Sequence, residues 1–141
     1  MSRSGSVDPV NLPHPIADAI RAHAAWAFPA EACGLLAFDT DGVPRMAYCL
    51  TNTESDTTRF TIDPAEHFGA QTHAERCGWH IGGVFHSHPH SPPIPSAHDI
   101  AGALDPDWVY VIAGPVDEAM TIRSYRISEG SVREITGAVV A

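Results

Sequence analysis

Residues 83–99 read GVFHSHPHSPPIPSAHD. The apolar approach through Val84 and Phe85 predicts a strand from Trp79 to His88. Side chains at i and i+2 of a strand project to the same side, so His86 and His88 point together and Ser87 points away. This is the strand route to bringing two imidazoles onto one ion. The helical route, two histidines at i and i+4, is absent. Beyond it lies a loop with four prolines, Pro89, Pro92, Pro93 and Pro95. Each fixes φ near about −65°, so the loop loses little entropy on ordering and can hold the next element at a set distance. Ser96 is a natural N-cap for a short helix to about Leu104, which places Asp99 at N3. The backbone dipole favours a carboxylate there, and the same carboxylate can reach an ion beside the histidines.

Two histidines and one carboxylate leave a coordination position for water, the pattern of a catalytic rather than a closed structural zinc site. Zinc lowers the pKa of water to about 7 and so supplies a nucleophile at neutral pH. The donor set alone also admits non-haem iron. Hydrolysis needs a base as well, and Glu31, in PAEACG (residues 29–34), is the candidate outside the loop. It stands at the entrance to an apolar strand, where partial burial raises a carboxyl pKa toward the useful range. Nothing in the spacing joins it to His86, 55 positions away.

Outward from this centre, Ile16, Ile20, Ala24 and Ala27 share one face of a helix predicted over Pro15 to Phe28. Cys33 to Phe38 reads as a buried strand, turned by Asp39-Thr40-Asp41-Gly42 into a second strand, Arg45 to Leu50. Arg59 to Ile62 alternates polar and apolar and predicts another strand. Asp63 then caps a helix to about Cys77, with Glu66 as its capping-box partner. Val109–Ala113, Thr121–Ile127 and Ser131–Ile135 complete the strands. Helices and strands mix without a regular βαβ rhythm, which predicts an α+β class or a loosely wound α/β sandwich.

The chain has 141 residues, one domain's worth, and a net charge of −9 that repels phosphate backbones and argues against nucleic acid as partner. No apolar run approaches the ~18 residues of a membrane span. The polar start, residues 1–10, is read as a disordered lead-in without the apolar core of a signal peptide, which implies a cytoplasmic protein; residues 11–141 form the single domain. Cys33, Cys49 and Cys77 form no CxxC pair and are read as small buried hydrophobes. Phe85, Trp79 and Trp108 are assigned to the core, and His90 and His98 to exposed loops rather than to the ligand set.

Glu31, then His86-Ser87-His88, seven residues, Ser96, two residues and Asp99 resemble the signature of the JAMM (MPN-plus) zinc metallopeptidases. The segments PAEACGLLAF, GVFHSHP, TNT and RFTIDP also resemble that family, over roughly Ala17 to Ile135. His98 departs from the small hydroxyl or acidic residue that relatives often carry there. The resemblance implies a JAMM/MPN fold, a cytidine-deaminase-like mixed β-sheet flanked by helices. It implies one zinc ion held by His86, His88 and Asp99, a catalytic Glu31 that deprotonates the water, and a catalytic Ser96 that donates to the oxyanion. The end of the chain resembles small bacterial members of the Mec-plus type, which release cysteine from the C-terminus of ubiquitin-like sulfur-carrier proteins. A carrier of this kind is therefore the expected partner. The alternatives are a non-catalytic scaffold of the same fold, against which the complete ligand set weighs, and a hydrolase of a small amide. Zinc deaminases need HxE and PCxxC, and neither exists here.

Overall fold

The computed structural model describes residues 9–140 apart from 55, 118, 136 and 138. Most of the lead-in read over 1–10 lies outside the described residues, and Val10 is already buried in the core. The described elements are β1 (Leu12–Pro13), α1 (His14–Ala27), β2 (Cys33–Phe38), β3 (Pro44–Leu50), α2 (Pro64–Arg76), β4 (His80–Ser87), α3 (Ala97–Gly102), β5 (Val109–Gly114), β6 (Thr121–Ser128), β7 (Ser131–Ile135) and β8 (Val139–Val140). Six strands form a mixed sheet in the order β3-β2-β4-β5-β6-β7, in which only β4 and β5 are parallel. A parallel pair needs a crossover connection. Here that crossover is the proline loop and α3, which leave from the carboxyl end of β4.

Alternation along β4 divides the chemistry between the two faces. Phe85 packs with Leu36, Val111 and Ala113 against Ile16, Ile20 and Ala24 of α1. Each of the larger side chains here contributes about 2 kcal/mol by leaving water, the alanines less. One residue on, His86 faces the opposite side, where it shares a cavity with Leu35, Val84 and Ile112 of the sheet, His67 of α2 and Asp99 of α3. β2 is buried along its whole length, as its unbroken apolar run requires. Gly34 is needed within it, because a Cβ there would collide with the Phe85 ring and the Tyr48 carbonyl.

The segment Arg59–Ile62, expected as a strand, makes only an isolated bridge, Asn52↔Ile62. Its backbone is held by the Asn52 side chain, which accepts from the Thr61 N–H and donates to the Arg59 carbonyl. The capping box expected at α2 is half formed. Asp63 accepts from the Glu66 N–H, but the Glu66 carboxylate accepts instead from the N–H and hydroxyl of Thr51, at 2.7 and 2.9 Å. Cys33 is buried as expected, but Cys49 and Cys77 are exposed. Trp79 and Trp108 are half-buried rather than core, and Phe85 alone of the three aromatics is enclosed. The short β1–β8 ladder, two pairs long, has no counterpart in the sequence reading. Among the described residues no helix is long and apolar enough to cross a membrane.

Candidate metal centre

His86 lies on the last turn of pleat in β4, and His88 stands just past the strand end, its N–H donating to the Ala113 carbonyl of β5 at 2.8 Å. The pairing with β5 therefore carries the i, i+2 geometry through both histidines. Beyond them the loop folds over the end of β5. A Cβ at Gly114 would come within 2.6 Å of the His88 carbonyl and 2.7 Å of that of Ser91. The Tyr125 hydroxyl donates to the Pro93 carbonyl and pins the loop from β6. At its far end Ser96 caps α3. Its Oγ accepts from the Asp99 N–H at 3.1 Å, and Asp99 Oδ2 accepts from the Ser96 N–H at 2.9 Å. This reciprocal cap holds the carboxylate toward the histidines.

The three side chains converge. His86 Nε2 and His88 Nε2 are 3.2 Å apart, His86 Nε2 and Asp99 Oδ1 3.2 Å, and His88 Nε2 and Asp99 Oδ2 3.0 Å. Tetrahedral zinc with bonds of about 2.0–2.1 Å sets neighbouring donors about 3.3 Å apart, so this spacing fits such an ion. His88 Nδ1 lies 2.9 Å from the Pro92 carbonyl. A carbonyl only accepts, so Nδ1 carries a ring proton; the protonated ring also donates from Nε2 to Asp99, and the neutral ring turns the Nε2 lone pair inward as a ligand does. Burial pushes the His86 pKa down and favours the neutral, ligating ring. Burial acts the same way on His88, but the Asp99 carboxylate and the Pro92 carbonyl outweigh it and raise that pKa. For Asp99, burial is outweighed by the hydrogen bonds from both histidines, which hold the carboxyl well below the usual range. Phe60 stacks on the His86 ring, with centroids 4.7 Å apart at 24°.

Glu31 is 3% exposed. The antiparallel register Cys33↔His86 continues through Ala32 and Ser87, which exchange a backbone bond of 3.0 Å. Two residues beyond Cys33, this register puts Glu31 across from His88. Among the described residues Glu31 Oε1 is buried without a hydrogen-bond partner. Its pKa is pushed up to about 8, chiefly by burial, with the His88 charge opposing and the Asp99 charge reinforcing the rise. A buried carboxylate oxygen with nothing to accept from, beside three converging donors, fits a hydrated cation at this point.

The structure thus brings His86, His88, Asp99 and Glu31 to one place, with Ser96 at its edge. His90 and His98 are exposed, as read from the sequence, although His98 lines the cavity. That cavity, of about 420 Å³, is lined by Phe60, Ile62, His67, Leu104 and Trp108 among others. Trp108, assigned to the core by the sequence reading, is part of it. Sequence reasoning gave no role to Phe60 or Asn52. Their only signal was their place in the RFTIDP and TNT segments.

Sheet order and donor cluster together define a hydrolase of the JAMM type. A family model described as prokaryotic homologs of the JAB domain matches residues 13–128. The chain is 36% identical over 113 residues to a desampylase of Haloferax volcanii, covering 79% of each protein. It is 31% identical over 134 residues to the CysO-cysteine peptidase of Mycobacterium tuberculosis, covering 94% of this chain and 92% of that one. Its fold matches the solution structure of a protein from Desulfitobacterium hafniense with a TM-score of 0.85 and 32% identity, over 94% and 93% of the two chains. The chain belongs to the prokaryotic JAB-domain family.

Proposed function

We propose that this protein hydrolyses the peptide or isopeptide bond at the C-terminus of a ubiquitin-like or sulfur-carrier protein, with a single zinc ion held by His86, His88 and Asp99. The observation that carries the reading is the convergence of those three side chains at 3.0–3.2 Å beside the orphaned Glu31 oxygen. A zinc ion bound there supplies a Lewis acid and acidifies water to a pKa of about 7. Glu31 Oε1 takes the proton of the attacking water and returns it to the leaving amine. In the metal-free protein burial raises its pKa to about 8; a cation beside it would favour the carboxylate that accepts the proton, and burial favours the acid that gives it back. Ser96 Oγ accepts from the Asp99 N–H and still has its own proton to donate to the developing oxyanion. The cavity lined by Phe60 and Trp108 receives the extended tail of the substrate.

The names of the two relatives, a desampylase and a CysO-cysteine peptidase, support a substrate of this class. Release of cysteine from a carrier in the cytoplasm, as part of cysteine biosynthesis, is the form closer to the relative that aligns over more of the chain. The test is to incubate the protein with a carrier protein bearing a C-terminal cysteine adduct and to follow intact mass with and without a chelator. Cleavage that stops on chelation and returns with zinc is expected. Cleavage indifferent to the chelator would overturn the reading.

A further inference from the structure

The sheet does not hold Glu31. The β2 ladder begins at Cys33, and the Ala32 N–H is taken by the Ser87 side chain. The main chain of Glu31 is fastened instead by the segment after β3. Its N–H donates to the Asp56 carbonyl at 2.8 Å, and its carbonyl accepts from Asn52 Nδ2 at 3.0 Å. The same Nδ2 group donates to the Arg59 carbonyl at 3.0 Å, while Asn52 Oδ1 accepts from the N–H groups of Glu54 at 2.9 Å and Thr61 at 3.1 Å. A primary amide offers two donors and two acceptor positions, and all four are used. Two of these bonds flank Phe60, whose ring covers His86. One side chain therefore fastens both Glu31 and the aromatic wall over His86.

We infer that Asn52 is a positioning residue for the reaction: it sets Glu31 against the metal cluster and fixes Phe60 over His86 at the same time. The inference rests on the proposed hydrolysis. Asparagine is the residue the geometry demands. Aspartate lacks the two N–H donors and would set its charge against two carbonyl oxygens, and glutamine is one methylene too long for the same four partners. Thr53 provides the contrast. Its hydroxyl donates to the Thr61 carbonyl at 3.2 Å, so it tightens the same loop without touching Glu31.

The experiment compares wild type, Asn52→Ala, Asn52→Asp and Thr53→Val. It reads zinc content, kcat and KM on the carrier–cysteine adduct, and amide hydrogen exchange of the metal-free proteins. In both Asn52 variants kcat is expected to fall about 10²-fold, the scale of a misplaced catalytic group, with zinc content unchanged and KM altered less than kcat. Exchange at the Glu31 amide rises at least about 10-fold in those variants, because its bond to Asp56 opens with the loop. Thr53→Val keeps wild-type kcat and Glu31 protection. Equal kcat and equal Glu31 protection in Asn52→Ala and wild type would overturn the inference, as would an equal loss in Thr53→Val, which would reduce Asn52 to a loop fastener. Failure of the wild type to cleave the adduct would instead sink the proposed hydrolysis, and the exchange result would still decide whether Asn52 holds Glu31.

Discussion

Ser87 turns its hydroxyl to the backbone N–H of Ala32 at 2.8 Å, a buried bond between residues 55 positions apart. Ala32 adjoins Glu31, and Ser87 lies between His86 and His88. This contact fixes the entrance of β2 to the tip of β4, and with it the distance from the glutamate to the histidine pair. The residue that points away from the metal cluster thus anchors the strand entrance next to the glutamate, while Asn52 and Asp56 hold the glutamate's own backbone.

Ser87→Ala leaves the Ala32 N–H buried and without its side-chain acceptor. Such a group costs about 1–3 kcal/mol. We expect a lower midpoint in urea with an unchanged slope, and reduced kcat with zinc content retained.

Glu31→Gln keeps the size and the burial but cannot accept a proton at Oε1. We expect full zinc content with turnover reduced by about 10²–10⁴-fold. Wild-type turnover in this variant would remove Glu31 from the role of base.

The same substitution separates a pH effect on stability in the metal-free protein. The Glu31 pKa is raised on folding from 4.5 to about 8. Its contribution is therefore fully present below about pH 4.5 and is lost as pH rises through about 8. The loss amounts to a few kcal/mol at most. Urea denaturation at pH 5 and pH 8 should show metal-free wild type weakening relative to Glu31→Gln as pH rises. Parallel behaviour of the two would show that Glu31 is solvated in the folded protein.

Much of the metal cluster is legible in the sequence because its geometry is local. A spacing of two on a strand and of three from an N-cap each fix a direction, so His86, His88, Asp99 and Ser96 could be read without a fold. Glu31 could be named but not placed, because its position depends on the antiparallel register of β2 against β4. The segment Arg59–Ile62 misled for a related reason. Its alternation is real, but the Asn52 amide takes the backbone groups at Arg59 and Thr61 that a neighbouring strand would have used. The half-formed cap at Asp63 failed likewise, because Thr51, 15 residues from Glu66, competes for the carboxylate. Burial of Cys49 and Cys77 was inferred from residue type alone, and both lie on outward positions of the fold.

Leu104 is 89% exposed on the rim of the cavity. Leu104→Glu should change stability by no more than about 0.5 kcal/mol, while raising KM for a carrier-protein substrate at nearly constant kcat. An unchanged KM would place the substrate tail elsewhere.

Asp99→Asn retains an oxygen that can accept from the Ser96 N–H but removes the charged ligand. Changes in the outer shell of a metal site already cost about 10–100-fold in affinity, so loss of a ligand should weaken zinc binding by at least about 10²-fold. Titration calorimetry of metal-free protein checks this. Wild-type affinity would exclude Asp99 from the ligand set.

X-ray absorption at the zinc edge tests the central claim most directly. Zinc-loaded protein should show one ion per chain, with imidazole scattering and only nitrogen and oxygen neighbours at about 2.0–2.1 Å. A sulfur neighbour at about 2.3 Å, or failure to retain one zinc per chain, would contradict the assignment of His86, His88 and Asp99 as the metal site.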